Sequence, residues 1–242
     1  MFYALVENEE YYKDKISIFI ALGPVVRLAY CKSELLTILA SNDALIKDFC
    51  EAFGIYEFFP ASWLDSTLFK MVCGILPPIC ELGVKLICDE DVSLDDSDRL
   101  NVYMSHFPSG TSLKCLDHFG QLTLTDNFYK YDYGTKDNQI VYGQDTPPVI
   151  PLKDLKGDVP IAMFVGSKDE LADVIDNEWA RSEMGDDVVI FYNEYNMGHL
   201  TFMVGNDMSY FTVDAMTLLK TYSPKIHISP NSNDSDQDNQ TQ

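Results

Sequence analysis

The sequence predicts an α/β protein in which a parallel β-sheet is interrupted by a large helical insertion. Two short and almost uniformly apolar runs, at residues 16–22 and 159–165, are typical of strands buried on both faces. Strands and helices then alternate through residues 159–222, a spacing that implies right-handed crossovers. Residues 27–148 read instead as helix-like stretches separated by proline breakers. We therefore predict one core assembled from both ends of the chain.

The elements of this core can be placed in order along the chain. An amphipathic helix is expected at residues 1–13, and the first strand stops at Gly23-Pro24, a typical turn signal. The later elements expected are a strand at 159–165, a helix at 173–184, a strand at 188–192 and a helix at 207–222. The expected domain boundaries are 1–26 for the first helix and strand of the hydrophobic core, 27–148 for a helical cap, 149–223 for the C-terminal part of the core, and 224–242 for a disordered polar tail.

The insertion is expected to contain helices at 33–53 and 63–88, followed by an acidic segment at 89–98. We expect this segment to be a solvated loop, with a calcium site as the alternative. An EF-hand loop would need Gly at its sixth position and Glu at its twelfth, and the segment has neither. Insertions of this kind lie at the carboxyl ends of strands, where open parallel sheets bind ligands, so the insertion is a candidate lid.

Composition and charge narrow the range of functions. Of the 242 residues, 46% are hydrophobic, which is enough for a sizeable core. The net charge of −21 repels phosphate backbones and anionic head groups, so we expect no nucleic-acid partner. No apolar run reaches the length of a transmembrane helix, and the N-terminus lacks the pattern of a secretory signal. The acidic surface suits a mildly acidic compartment and the cytosol equally well.

Two residues of the last third could form the later part of a Ser–Asp–His hydrolase site. Asp169 follows the strand at 159–165, and His199 follows the strand at 188–192, which is the chain order of the α/β-hydrolases. In such a site the imidazole transfers the proton of a serine, and the carboxylate orients and stabilises the imidazolium. Each residue also has a structural alternative. Asp169 could be a helix cap or turn residue, and His199 a satisfied structural histidine.

The other candidate residues favour structural roles. Asp173 opens the following helix and is expected to cap it rather than to be the catalytic acid. His106, His118 and His227 have no metal-binding spacing, and the six cysteines include no C-x-x-C pair. We therefore expect no metal site and no cofactor.

Five segments of the chain share their order and spacing with one protein family. They are IFIALGP at 18–24, NVYMSHFPSGTS at 101–112, YDYG at 131–134, the strand and loop at 159–173, and NMGHLTF at 196–202. Together they resemble the acid lipase family, the lysosomal and gastric lipases of the α/β-hydrolase superfamily, over residues 1 to about 222. The resemblance implies the C-terminal portion of that fold with a cap, and it places Asp169 on the catalytic acid and His199 on the catalytic histidine.

The same resemblance implies a substrate and a compartment. The expected substrate is a neutral lipid ester, either a triacylglycerol or a cholesteryl ester, and the expected location is lysosomal or secreted. It also places Cys80 and Cys88 near a family disulfide, although their spacing is one residue shorter. Neither the oligomeric state nor the substrate-binding residues follow from it. The cap aromatics fit an acyl pocket and the cap's own core equally; they are Phe53, Tyr56, Phe58, Phe59, Trp63 and Phe69.

The sequence also departs from the family pattern. No G-x-S-x-G nucleophile motif occurs in it, and Gly198 and Thr201 stand where the family commonly has other residues. We therefore expect this chain to supply the acid and the histidine but not the serine, to be the C-terminal part of a lipase, and to be inactive alone. The alternative from a different class is a non-catalytic truncated relative that binds lipid or a lipase partner. A weaker third reading is a generic binding module with coincidental motifs.

Overall fold

A three-stranded parallel sheet forms the centre of the protein. The computed structural model describes residues 1–41, 50, 56–58, 67, 71–73, 75–87, 89–99, 102–103 and 110–223. The sheet has the order β1–β4–β5, with β1 at Phe19–Leu22, β4 at Ile161–Gly166 and β5 at Val189–Tyr195. Ile20 is paired with Ala162 across the first ladder, so the two ends of the chain meet in one sheet. The predicted parallel α/β architecture is confirmed.

The central strand β4 is buried along its whole length because helices cover both faces of the sheet. On one face, Met163 packs in a cluster with residues of α1 (Phe2–Tyr12) and α6 (Val174–Met184). On the other face, Phe164 packs against Phe202 and Tyr210, which lie beyond β5. A strand covered on both sides needs apolar residues at successive positions, which is the pattern that its sequence shows.

The insertion contributes helices and one short antiparallel pair of strands. The elements of the insertion that the structure describes include α2 (Glu34–Ser41), β2 (Glu57–Phe58), α3 (Pro77–Ile87), 3-10 turns at Val92–Leu94 and Ser97–Arg99, β3 (Thr111–Ser112), α4 (Leu113–Thr123) and α5 (Thr135–Tyr142). A further 3-10 turn, Leu152–Asp154, follows the insertion. Helices α2 and α4 approach closely, since a Cβ at Gly120 would lie 3.5 Å from the Cα of Ala40.

Several element boundaries differ from the sequence expectation: β5 ends at Tyr195 rather than at residue 192, and the helix expected at 63–88 is interrupted at Leu76. The turn after α1 continues to Ile16, whose N–H donates to the carbonyl of Tyr12, so β1 begins at Phe19 rather than at residue 16. The helix expected at 207–222 is divided into a π-helix and a regular helix. The last elements are α7 (Thr201–Val204), the π-helix (Tyr210–Ala215) and α8 (Met216–Tyr222). The expected polar tail, residues 224–242, lies outside the described residues, and the domain boundaries stay a prediction.

The disulfide of the insertion differs from the expected Cys80–Cys88 pairing. Cys80 is bonded to Cys73, with a Cα–Cα distance of 5.6 Å. The pairing follows from the chain path, because Leu76 interrupts the helical run before α3 begins at Pro77. From Cys80 to Ile87 the chain is one continuous helix, a rise of about 10 Å that exceeds the reach of a disulfide. Cys88 lies outside the described residues.

No helix among the described residues has the combination of length and apolarity needed to span a bilayer.

Candidate active site

Asp169 and His199 meet at the carboxyl ends of two neighbouring parallel strands. Asp169 lies three residues beyond the end of β4, and His199 lies four residues beyond the end of β5. Because parallel neighbours end at the same edge of a sheet, the acid loop (167–173) and the histidine loop (196–206, which includes α7) are brought together there. Nδ1 of His199 lies 2.9 Å from Oδ2 of Asp169. The sequence-predicted pair is therefore assembled, with the carboxylate buried and the imidazole partly exposed.

The two carboxylate oxygens of Asp169 have different partners. Oδ2 faces the imidazole, whereas Oδ1 accepts hydrogen bonds from the backbone N–H groups of Leu171 at 2.9 Å and Ala172 at 2.6 Å. The turn role and the histidine-orienting geometry, which the sequence presents as alternatives, therefore occur together. Because the turn fixes one oxygen, the other is held in place toward His199.

Gly23, just beyond β1, completes the wall behind the pair. Its φ of +53° lies in the left-handed region, which glycine adopts without steric cost. A Cβ at this position would lie 2.9 Å from Nδ1 of His199 and 3.0 Å from Oδ2 of Asp169. The turn signal at Gly23-Pro24 thus has a second reason, because any side chain would enter the Asp–His hydrogen bond.

The electrostatics of the pair favour a protonated histidine. Burial by itself lowers the pKa of His199, but the hydrogen bond and the negative charge of Asp169 outweigh it, with a further contribution from Asp89. The pKa of His199 is therefore raised above its ordinary value. An imidazole that is stabilised as the cation is suited to accept a proton from a nucleophile.

The acid loop is held from the segment that follows β1. Nε of Arg27 lies 2.5 Å from Oδ1 of Asp176, and both side chains are buried. Nζ of Lys32 lies 2.8 Å from Oδ2 of Asp173. Oδ1 of Asp173 accepts the N–H of Ile175 at 2.8 Å and so caps α6, as the sequence predicts. Two ion pairs thus connect this loop and the start of α6 to the segment that follows β1.

The acidic segment at 89–98 is exposed at Glu90, Ser93 and Asp98, as expected of a solvated loop, but not at its first residue. Asp89 is 0% exposed and lies beneath the histidine loop. Its carboxylate accepts the backbone N–H of His199 and, at 3.2 Å, that of Leu200. Burial raises the pKa of Asp89 to about 7, although these hydrogen bonds oppose the increase. The two backbone N–H donors of the histidine loop satisfy this carboxylate and so offset part of the cost of burying it.

Of the remaining candidates, those that the structure describes do not join the site. Nε2 of His118 lies 2.9 Å from the carbonyl oxygen of Tyr129, a structural contact within the insertion. Within the described ranges, no group of three or more His, Cys, Asp or Glu residues could hold a metal ion. Tyr56 is exposed, at 66%. His106, His227, Phe53, Phe59, Trp63 and Phe69 lie outside the described residues, as does the side chain of Phe58.

The fold and the geometry together define a class of protein. A parallel sheet that presents an aspartate and then a histidine at the ends of successive strands is the later half of an α/β-hydrolase. The chain is 36% identical over 165 residues to human lysosomal acid lipase/cholesteryl ester hydrolase, covering 67% of the chain and 40% of the relative. It is 34% identical over 162 residues to human gastric triacylglycerol lipase, covering 66% and 39%. The chain belongs to the acid lipase family.

A nematode relative extends the similarity over most of the chain. Lipase lipl-3 of Caenorhabditis elegans is 30% identical over 237 residues, which cover 93% of the chain and 57% of the relative. The chain thus spans about half the length of the curated relatives that it matches. No protein-family model matches the sequence.

Proposed function

We propose that this chain supplies the acid and the histidine of a serine ester hydrolase acting on neutral lipids. The observation that carries the proposal is the 2.9 Å contact between Nδ1 of His199 and Oδ2 of Asp169 at the ends of β4 and β5. Two relatives are named for triacylglycerol and cholesteryl ester hydrolysis, and these esters are the proposed substrates. A lysosomal or secreted location is proposed on the same basis.

In this role each residue has a defined task. With Nδ1 bonded to Asp169, the imidazole of His199 would use Nε2 to take the proton of a serine hydroxyl. It would then return that proton to the alcohol that leaves the ester. Asp169 would keep the ring in the required tautomer and stabilise the imidazolium. The buried turn at Leu171 and Ala172 would prevent the carboxylate from rotating away during the cycle.

The proposed serine nucleophile lies outside these 242 residues, since they contain no G-x-S-x-G motif. The members of such a triad act as a unit, so the acid and the histidine without the serine give almost no acyl transfer. We therefore propose that the 242-residue chain by itself does not hydrolyse esters, and that activity requires a serine-bearing segment.

A chimera tests the proposal. The chain would be joined behind the serine-bearing segment of human lysosomal acid lipase and assayed with a nitrophenyl ester and a triacylglycerol emulsion. We expect hydrolysis, and His199→Ala or Asp169→Asn should lower kcat/KM by about 1,000-fold or more. His118→Gln is the matched control, because His118 contacts Tyr129 within the insertion, and it should retain activity. An active chimera that tolerates His199→Ala would refute the proposed role.

A non-catalytic function is the second candidate, and one observation favours it. Helix α3 carries apolar side chains that are largely exposed in the described structure, including Ile79 at 56% and Leu82 at 55%. A cap with this face could bind an acyl chain without any chemistry. Binding of a fluorescent fatty-acyl probe to the 242-residue chain, weakened by Leu82→Lys and unaffected by His199→Ala, would support this candidate. Absence of binding would exclude it.

A further inference from the structure

The first eight residues of the acidic segment, 89–96, contact both loops that form the Asp–His pair. On the acid-loop side, the N–H of Glu90 donates to the carbonyl of Lys168 at 3.0 Å, and Nζ of Lys168 lies 3.3 Å from the Glu90 carboxylate. On the histidine-loop side, three backbone contacts continue the connection. They are Asp96 N–H to the carbonyl of Val204 at 2.8 Å, Asn206 N–H to the carbonyl of Leu94 at 3.0 Å, and the bridge between Asp95 and Gly205. The segment therefore joins the two loops from one side.

Two side chains of the segment fit the histidine loop closely. A Cβ at Gly198 would lie 2.5 Å from both Cγ and Oδ1 of Asp89, so only glycine leaves room for that carboxylate. Oγ1 of Thr201 donates to Oδ1 of Asp95 at 2.8 Å. Gly198 and Thr201 of the histidine loop thus each face an aspartate of the acidic segment, so the loop and the segment are matched to each other.

Asp89 is linked to His199 through the backbone and through its charge. Its carboxylate accepts the backbone N–H of His199 itself, and its charge contributes to the raised pKa of that histidine. The charged groups around it are Asp95 on its own segment, Asp169 from the acid loop and His199 from the histidine loop. Lys168 lies nearby but pairs with Glu90. Asp89 is thus held by neutral N–H donors and by the field of the histidine.

We propose that Asp89 is a positioning residue for His199, whose carboxylate fixes the histidine loop and couples the state of the imidazole to its own ionisation. The inference rests on the proposed role of His199 and adds a fourth residue, which comes from the insertion and not from the sheet. Asp95 and Thr201 complete the same attachment one turn further along the loop. Through this segment the insertion sets the geometry of the pair.

Nuclear magnetic resonance of the 242-residue chain tests the proposal without any need for ester hydrolysis. A pH titration would follow the imidazole nitrogens of His199, its backbone amide proton and the carboxyl carbon of Asp89. In the wild-type chain we expect the His199 amide shift to contain a step with the midpoint of the Asp89 carboxyl. In Asp89→Asn this step should vanish, and the His199 pKa should fall by about 0.5 pH unit or more because a neighbouring negative charge is lost.

The control and the opposing outcomes are defined by the same spectra. Asp98→Asn removes an exposed carboxylate of the insertion and should leave both His199 signals unchanged. The proposal is overturned if the wild-type amide follows only the imidazole titration, or if Asp89→Asn leaves the His199 pKa in place. The wild-type titration suffices if Asp89→Asn does not fold. Asp169→Asn reports separately on the proposed function, since an unchanged His199 pKa in that variant would refute the relay and not the role of Asp89.

Discussion

The two loops that meet at the Asp169–His199 pair are held in opposite electrostatic ways. The acid loop and the start of α6 are fastened by cations, Arg27 on Asp176 and Lys32 on Asp173. The histidine loop is fastened by carboxylates, because Asp89 and Asp95 accept hydrogen bonds from uncharged N–H and O–H donors. One side is thus an arrangement of ion pairs, and the other is an arrangement of one buried and one partly buried acid with neutral partners.

This difference determines how each side responds to pH. A guanidinium stays charged throughout the range in which a histidine titrates, so the Arg27 contact does not lose its cation there. A buried carboxylate without a cation is penalised when it ionises, and the pKa of Asp89 is accordingly raised to about 7. We therefore expect the contacts of the acid loop to be insensitive to pH over the range in which a histidine titrates. The histidine loop is expected to be the pH-sensitive half of the site.

The largest effect is expected on the acid-loop side. Arg27→Ala leaves the buried Asp176 carboxylate without its cation and also removes the contact of the guanidinium with Trp179, 4.7 Å from the ring centroid. Removing one partner of a buried pair costs about 3–5 kcal/mol in the free energy of unfolding. Urea unfolding followed by far-ultraviolet circular dichroism measures it. The exposed pair Arg181–Asp186 is the control, since Arg181→Ala should cost below about 1 kcal/mol. Equal costs for the two arginines would remove the basis of the comparison.

The next effect is on the histidine-loop side and is steric. In Gly198→Ala the new methyl group would occupy space held by the Asp89 carboxylate, 2.5 Å from Cγ. Overpacking of this kind costs about 1–3 kcal/mol, and we expect the upper end because Asp89 is 0% exposed. The same urea titration measures the loss.

A double-mutant cycle identifies the cause of that loss. Asp89→Gly removes the colliding carboxylate, so Gly198→Ala should be tolerated in the Asp89→Gly background. The two changes should be coupled by about 1 kcal/mol or more. Additive costs would mean that Gly198 is required for another reason, and the close match between the loop and the acidic segment would then be wrong.

The two sides also differ in how far the sequence predicts them. The strands β4 and β5, and with them the positions of Asp169 and His199, follow from local apolar runs and from chain order, which a single sequence displays. The role of Asp89 does not, because its partner His199 lies 110 residues away and an acidic run is typical of a solvated loop. The available signal was Gly198. An ordinary loop position tolerates a side chain, so a glycine there indicates a close neighbour.

The predicted pairing of Cys80 with Cys88 was wrong for a related reason. The separations from Cys80 to Cys73 and to Cys88 are almost equal in the sequence, so spacing alone does not decide between them. The interruption of the helix at Leu76, ahead of α3, decides between the two partners, because it allows Cys73 to lie beside Cys80. Tertiary contacts of this kind leave little mark on local sequence, whereas buried strands do.

A third prediction concerns pH and the charge of Asp89. The folded-state pKa of about 7 lies above the ordinary value of 3.8, so the stability associated with this group is fully present below about pH 4 and is lost as the pH rises through 7. The raised pKa of His199 acts in the same direction. Asp89→Asn should therefore be more stable than the wild-type chain by about 2 kcal/mol at pH 8 and similar to it near pH 4.

Unfolding in urea at the two pH values measures this difference. Asp98→Asn is again the matched control, because it removes the same charge from an exposed position and should behave as the wild-type chain at both values. A wild-type chain whose stability does not fall between pH 4 and pH 8, with Asp89→Asn parallel to it, would show that the histidine loop is no more sensitive to pH than the acid loop.

The smallest effect is expected for the hydroxyl group of Thr201. Thr201→Val keeps the shape of this buried side chain but removes the 2.8 Å hydrogen bond to Asp95, which should cost about 1 kcal/mol at neutral pH. Burial raises the pKa of Asp95 and this hydrogen bond lowers it, so its loss should raise that pKa further. The cost should consequently shrink as the pH falls and Asp95 becomes protonated, a trend that the Arg27 pair on the acid-loop side should not share. Thr217→Val, which removes an exposed hydroxyl that donates to the carbonyl of Val213 in the adjoining π-helix, is the control and should cost little at any pH. If Thr201→Val proves as pH-independent as Thr217→Val, then Asp95 does not hold the histidine loop through its charge, and Asp89 alone carries the contrast between the two halves of the site.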